Sequence, residues 1–261
     1  MCIRDRISTG QNQQPVFYNE NPESLLSYLG RINYTYKNRY IFTGTFRADG
    51  SSKFTDGNKW GYFPALAFAW RIDKEKFLRK SKLISNAKLR LGWGMTGNQA
   101  IPNFSTLTRF NITQTPYSDA SGGQLTSIVP QNLRNTGLSW ETTSQYNAGL
   151  DFGFLEDRIV GSVDVYYKEI YDLLLNVSLP GSVGFENYIA NQGDLINKGI
   201  ELSINADIIK NDNFRWNVYG NISFNRNEVG DIGFAPSSFG TETYSAYLGR
   251  RVSAGNFFKA E

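Results

Sequence analysis

The sequence predicts an all-β chain: a transmembrane antiparallel β-barrel, present here as an open partial barrel of about eight or nine long strands. Three observations predict it. Apolar and polar residues alternate with period two over eight separate segments. Those segments run to about nine to thirteen residues, whereas strands of soluble sheets average about five or six and a tilted membrane-crossing strand needs about nine to eleven. The connections alternate between short and long, the rhythm of an up-and-down barrel with tight turns on one side of a membrane and long loops on the other.

The first segment, 26–36, places Leu26, Tyr28, Gly30, Ile32, Tyr34 and Tyr36 on one face, with Arg31 and Asn33 on the other. After Lys37-Asn38 the second carries Tyr40, Phe42, Gly44, Phe46 and Ala48 opposite Arg39, Thr43, Thr45 and Arg47. Residues 60–72 give Trp60, Tyr62, Leu66, Phe68 and Trp70, and residues 87–95 set Leu89, Leu91 and Trp93 against Lys88, Arg90 and the glycines 92 and 94. Residues 145–154 and 159–168 form a pair across the short connection 155–158, with Leu150 and Val163 on the apolar face and Asp151 and Asp164 on the polar one. Residues 200–208 and 214–225 repeat the pattern with Leu202 and Val218 against Glu201, Asp207, Asn217 and Asn221. The connections 37–38, 155–158 and 209–213 are short, 73–86 is moderate, and 49–59, 97–143, 170–190 and the stretch from 226 onward are long. Aromatic residues gather near the segment ends, as the two lipid–water interfaces select.

Composition narrows the function. The chain has 261 residues, 40% hydrophobic and 15% aromatic, which excludes a disordered chain. No run approaches the 18 or so apolar residues of a spanning helix, and mean hydropathy is −0.40. There is no His and a single Cys, which removes the commonest general base, the Ser–His and Cys–His nucleophile pairs, most zinc sites and any disulfide scaffold. The net charge of +3 and the lack of a Lys/Arg run give no nucleic-acid footprint. We expect no enzyme activity, no cofactor and no metal site. Residues 1–23 are read as a non-barrel N-terminal segment, of which 1–6, with Cys2, resemble artefactual sequence and hold no signal peptide. Residues 24–251 are read as the partial barrel, and 252–261 as a truncated continuation.

The polar face predicts a wide lumen. Arg47, Arg90, Asp151, Asp164, Glu201 and Asn221 are expected to face the lumen or a plug within it. A small closed barrel fills its interior with side chains and has no room for so many long charged groups, so the eight segments read as part of a larger barrel.

Motifs with possible chemistry are weak. Gly92-Trp93-Gly94-Met95-Thr96-Gly97 fits G-x-G-x-x-G, but Pro102 stops the helix that a dinucleotide site requires. Asp49, Asp56 and Glu141 could pair as glycosidase carboxylates, yet Asp49-Gly50 and Asp56-Gly57-Asn58 are turn chemistry. N-x-S/T sequons at Asn33, Asn103, Asn111, Asn176 and Asn221 include two inside predicted strands and read as accidents of composition. The long loop 97–143, with Phe104, Arg109, Phe110, Tyr117, Asp119, Gly122-Gly123, Gln131 and Trp140, is the richest candidate binding segment, or a folded cap. Trp60, Asn98, Gln99, Arg109, Tyr117 and Trp140 are the candidate substrate-binding residues.

Several of these stretches resemble one family. Arg47-Ala48-Asp49-Gly50-Ser51-Ser52-Lys53-Phe54, Trp60-Gly61-Tyr62-Phe63-Pro64 and Trp70-Arg71 resemble a signature of the SusC/RagA family of TonB-linked outer-membrane transporters of Bacteroidota. Lys88-Leu89-Arg90 through Gly94-Met95-Thr96-Gly97-Asn98-Gln99 resembles K-L-R-x-x-x-G-x-T-G-N-Q. Leu138-Ser139-Trp140-Glu141 is similar to L-K-W-E with Ser139 for Lys, and Asn147–Gly153 to N-x-G-L-D-F-G. Asp172-Leu173-Leu174 and Asn197-Lys198-Gly199-Ile200-Glu201 fit the strands that follow. The resemblance implies an outer-membrane, 22-stranded barrel with an N-terminal plug. It implies energising by the TonB complex through a missing N-terminal region, and a SusD-like surface lipoprotein as lid. It also implies import of oligosaccharides or peptides. A non-transporting binding or adhesion barrel is the alternative, and a soluble carbohydrate-active β-enzyme a third reading that lacks a site.

The 261-residue piece is expected not to fold alone. Its first and last strands would leave unpaired edges, each orphaned backbone group costing several kcal/mol in hydrocarbon against a typical total stability of about 5–15 kcal/mol. In water, its bare apolar stripe and open edges favour aggregation. Expression of the piece is expected to give inclusion bodies; a soluble monomer with a cooperative melt would contradict both the fold and the partial-barrel reading.

Overall fold

The structure, a computed structural model, describes residues 22–78, 81, 83–118, 124–211 and 214–230. Eight strands form one antiparallel sheet: β1 (Leu25–Tyr36), β2 (Tyr40–Ser51), β3 (Trp60–Arg71), β4 (Ile84–Asn98), β7 (Glu141–Phe154), β8 (Ile159–Tyr171), β11 (Leu195–Lys210) and β12 (Arg215–Val229). They pair in the order β1-β2-β3-β4-β7-β8-β11-β12, an up-and-down meander with β1 and β12 as its edges. The sheet is therefore an open length of barrel wall. Two hairpins stand apart from it: β5 (Phe110–Ser118) with β6 (Gln124–Pro130), and β9 (Leu174–Ser178) with β10 (Asn187–Asn191).

All eight expected segments are strands. Seven of them run past the segment their alternation predicts, and the longest reach 15 residues in β4, 14 in β7, 16 in β11 and 15 in β12. Most of the added length lies on the long-loop side, at 96–98, 141–144, 195–199 and 226–229. Beyond the apolar band both faces meet polar surroundings, so the period-two signal stops while backbone pairing continues. The expected loop from 226 onward accordingly begins after Val229. The segments 97–143 and 170–190, predicted as loops, hold the two hairpins. Residues 1–21 of the expected N-terminal segment 1–23, residues 231–251 of the expected barrel 24–251, the expected continuation 252–261, and Asp119 and Gly122-Gly123 lie outside the described residues.

The register carries both faces across the middle of the sheet, with shifts only near strand ends, at Ile84/Asn86 and Asp207/Ile209. One row reads Tyr36, Tyr40, Trp70, Leu89, Leu150, Val163, Leu202 and Ile222, each paired with the next. The next row reads Tyr34, Phe42, Phe68, Leu91, Ala148, Val165, Ile200 and Phe224. On the opposite face one row contains Thr35, Ala69, Arg90, Gly149, Asp164, Glu201 and Ser223. A one-residue slip at any seam would move charges into the apolar rows. Among the described residues no second layer covers the apolar face: Ile32, Leu66 and Phe224 are 76%, 61% and 66% exposed. A β-sandwich would bury them, and lipid covers them in a barrel.

Cross-strand aromatic pairs brace the two ends of this face. On the long-loop side Tyr28 stacks on Trp60 at 5.9 Å and Phe46 on Tyr62 at 6.1 Å. At the short-turn side Tyr36, Tyr40 and Trp70 form a stack with centroid spacings of 6.4 and 6.2 Å. Glu75, just past the short 3-10 turn Ile72–Lys74, closes that stack. It accepts hydrogen bonds from Tyr40 Oη (2.7 Å), Trp70 Nε1 (3.2 Å) and Arg39 Nη1 (3.0 Å). These donors, Tyr40 first, hold its carboxyl below the usual carboxylate range. The Tyr36–Arg39 turn is tight: Lys37 and Asn38 both have positive φ, and Arg39 N–H donates to the Tyr36 carbonyl at 3.0 Å.

Leu150→Arg, in the middle of an apolar row, is expected to cost about 2–4 kcal/mol in a refolding titration of the full-length barrel, and Asn147→Arg on the polar face much less. Equal costs at the two positions would contradict the assignment of faces.

Candidate functional site

Two regions carry polar chemistry: the polar face of the wall, and the tier of loops above it. On the wall the centre is Arg90. Its Nη2 donates to Asp151 Oδ1 at 2.7 Å and to Asp164 Oδ1 at 2.8 Å, and its Nε donates to Asp151 Oδ2 at 2.9 Å. The arrangement spans β4, β7 and β8, and Gly149 lies between Arg90 and Asp164 in register. A Cβ at Gly149 would come within 2.3 Å of Asp164 Oδ1 and 2.8 Å of the guanidinium carbon, so only glycine leaves space for the bridge. Asp164 also faces Glu201 directly across the β8–β11 pair. Two carboxylates in that position repel, and Arg90 offsets the repulsion by binding one of them. Lys88 reaches Asp151 only at 4.0 Å. Three carboxylates thus surround one closely bound cation, and this stretch of the polar face is acidic.

The other expected lumen residues lie on the same face. Arg47 donates to Asp49 at 2.8 Å, and Asn221 pairs with Ser203 one row below Glu201. Towards the short turns Arg215 grips Asp207 through two bonds of 2.9 and 2.8 Å, joined by Asn217 at 2.9 Å. A bulge between Asp207 and Ile209 turns the end of β11 there.

The loop tier is organised by one strap, residues 135–141, which runs into β7. On one side it is tied to the 51–59 loop. Thr55 Oγ1 donates to the Thr136 carbonyl at 2.8 Å, Asn58 Nδ2 to the carbonyls of Gly137 and Leu138 at 3.2 and 3.1 Å, and Trp140 Nε1 to the Lys59 carbonyl at 3.0 Å. On the other side it is tied to the β9–β10 hairpin. Asn191 Nδ2 donates to the Ser139 carbonyl at 2.8 Å and to the Asp172 carbonyl at 3.0 Å, while its Oδ1 accepts from Ser139 N–H at 2.8 Å. Asn135 Nδ2 donates to the Ile189 carbonyl at 2.9 Å. Glu141 closes the end, accepting from Asn98 Nδ2 at 3.0 Å and from Leu174 N–H at 3.1 Å.

Beneath the strap lies the apolar core of the loop tier: Phe54, Phe63, Ile101, Leu138 and Trp140, with Met95, Leu174 and Ile189 against it. It fills a split in the wall. Pairing between β3 and β4 stops at Ala65↔Gly94, next to Pro64, which has no N–H for the ladder. Above that point the Phe63 ring enters the gap so closely that a Cβ on Gly97 would lie 2.0 Å from it.

The six candidate binding residues do not converge. Trp60 lies on the apolar face against Tyr28. Trp140 is 7% exposed in the core. Asn98 is held by Glu141, and Gln99 has a buried Oε1 without a hydrogen-bond partner. Arg109 and Tyr117 stand exposed on and beside β5. Arg109 is the one of the six that lines a polar cleft of about 400 Å³ between the base of the β5–β6 hairpin and the β9–β10 hairpin. Of the cleft's other polar residues, Gln131 was named within the loop 97–143 and Asn176 only as a sequon, while Glu186 and Asn187 carry no period or motif. The G-x-G-x-x-G stretch lies inside β4, so no helix N-terminus exists there to hold a phosphate. Among the described residues no group of carboxylates and cysteines could hold a metal ion.

An open antiparallel wall with one lipid-type face, one charged face and an ordered loop tier on one edge defines the class: a length of transmembrane β-barrel wall. The family model for the TonB dependent receptor-like β-barrel matches residues 4–256, and the chain belongs to that family. It is 40% identical over 240 residues to the TonB-dependent receptor SusC of Bacteroides thetaiotaomicron, covering 91% of this chain and 24% of that protein. It is 40% identical over 209 residues to the TonB-dependent receptor P3 of Formosa agariphila, covering 80% of this chain and 21% of that one. The solved RagAB peptide importer in its closed-closed state superposes with a TM-score of 0.74 at 28% identity, over 81% of this chain and 23% of that one. The chain is thus of the SusC/RagA type and spans about a quarter of the length of the curated relatives it matches.

Asn191→Ala in the full-length protein is expected to remove three bonds, two to Ser139 of the strap and one to Asp172, and loosen the loop tier by about 1–3 kcal/mol. Amide exchange should accelerate at 135–141 and 172–194 and stay unchanged in the paired parts of β7 and β8. Unchanged exchange in the tier would show that the strap does not hold it.

Proposed function

We propose that this chain is barrel wall, over residues 24–251, of an outer-membrane importer for large nutrients, oligosaccharides or peptides. The importer is energised by the TonB complex and works with a SusD-like surface lipoprotein as lid. The carrying observation is the superposition on the wall of the RagAB peptide importer, joined to family membership across nearly the whole chain. The physical chemistry agrees. A charged, half-exposed polar face suits a wide lumen that holds water and a plug. The ordered loop tier suits a rigid rim on which a lid can seat. In this reading Arg47, Arg90, Asp151, Asp164, Glu201 and Asn221 face the lumen. Arg109 and Tyr117 meet incoming ligand, while Asn98 and Trp140 hold the rim and Trp60 braces the apolar face beside it.

The test is uptake by whole cells that carry the full-length gene. Labelled maltooligosaccharides and short peptides are supplied with TonB intact and with TonB deleted. Accumulation of one class only when TonB is present is the expected result. Surface binding without TonB-dependent accumulation would favour the adhesion barrel instead.

A further inference from the structure

The cleft between the two loop hairpins combines features that point to a ligand class. Its walls are fixed by hydrogen bonds. On one wall, Asn132 Oδ1 accepts from Arg109 N–H at 2.9 Å and its Nδ2 donates to the Leu107 carbonyl at 2.9 Å, while Gln131 N–H donates to the Arg109 carbonyl at 2.7 Å. On the other, Leu179 N–H donates to the Glu186 carbonyl at 2.9 Å, just before the β9–β10 ladder, where Asn187 pairs with Ser178. Asn135 ties the two walls together through the Ile189 carbonyl. Across this cleft of about 400 Å³ stand one cation, Arg109, and one anion, Glu186. They line the same space, yet among the described residues neither side chain has an ion pair or hydrogen bond. The amides of Gln131, Asn176 and Asn187 are likewise without side-chain partners there, and Tyr188 adds a ring.

We propose that this cleft binds a zwitterionic ligand, a free amino acid or short peptide, with Arg109 taking its carboxylate and Glu186 its ammonium group. The proposal rests on the importer reading and narrows its cargo to peptides. A neutral sugar entering the cleft would displace water beside both charges and pair neither. A ligand with one charge would pair one side chain and leave the other to water. A ligand with both charges at its ends satisfies the two side chains together, and the free amides suit the peptide groups between them. Charge-assisted bonds of this kind are about twice as strong as neutral ones, and a guanidinium matches a carboxylate in shape.

The test measures binding by calorimetry to the purified full-length transporter in detergent. The probes are trialanine, trialanine acetylated and amidated at its ends, and maltotriose. Trialanine should bind at least about tenfold more tightly than the capped peptide and than maltotriose. Arg109→Gln and Glu186→Gln should each weaken trialanine by about tenfold, with Arg109→Lys losing less. Both residues are exposed, so heat-modifiable migration of the barrel should stay that of the wild type. Trialanine that fails to bind, binds no better than the capped peptide, or binds the Gln variants as well as wild type would overturn the cleft assignment. TonB-dependent uptake is read in parallel. Intact uptake with variant-insensitive trialanine binding sinks the cleft alone. Variant-sensitive binding without TonB-dependent uptake sinks the importer reading and leaves the cleft standing.

Discussion

The structure depends on one constraint: within hydrocarbon every backbone N–H and C=O must find a partner in the protein. The eight-stranded sheet meets it through seven consecutive antiparallel seams whose registers agree. Because side chains alternate with period two, agreement of register fixes the two faces at once. The row through Leu89, Leu150 and Val163 and the row through Arg90, Gly149 and Asp164 are neighbours on opposite faces, separated by a single residue along each strand. The charged face therefore needs no separate explanation of how its groups meet. Arg90 reaches two aspartates because pairing puts Asp164 in its own row and Asp151 in the next. Only the clearance at Gly149 is a local adjustment.

Where the membrane constraint ends, a different organisation takes over. β3 and β4 part at Pro64, and the gap is filled from the side by Phe63, Phe54 and Trp140 rather than by hydrogen bonds. Such a split would be prohibitive in hydrocarbon, and in water it gives the loops a core to pack on. The strap 135–141 then ties the 51–59 loop and the β9–β10 hairpin into one body through side-chain amides and carboxylates. The wall is held by backbone pairs and the rim by side chains, which is why residue identity in the rim matters more to shape than it does along a strand.

The same division explains what the sequence disclosed. The eight wall strands and the orientation of Tyr40, Leu150, Arg90 and Glu201 were legible, because a membrane on one side and a lumen on the other enforce alternation residue by residue. The strand tips at 195–199 and 226–229 were not, since Asn197-Lys198 and Arg226-Asn227 lie beyond the band that imposes it. Neither hairpin was foreseen as a strand pair: Leu174–Ser178 is five residues long and without clear alternation. Trp60 and Trp140 look alike as aromatic residues beside a loop, yet one braces the apolar face and the other lies under the strap. Their difference is set by Tyr28 in one case and by Phe54 and Phe63 in the other, contacts made by residues some 30 to 90 positions away. The candidate site was therefore legible as a region, the loop tier, with Arg109 and Gln131 as named residues of the cleft within it.

This arrangement also separates two electrostatic tasks. In the wall, carboxylates outnumber the cation that binds them closely, and Arg90 is committed to Asp151 and Asp164. Glu201 faces Asp164 across the β8–β11 seam and is exposed on the polar face. A surface of that kind acts on charge weakly and over a distance rather than by shape. In the rim, Arg109 and Glu186 are opposite in sign, have no side-chain partner among the described residues, and stand on hairpins whose backbone is braced. Recognition by matched charges requires such preorganisation, because a ligand that must also order its site loses affinity to the entropy of doing so.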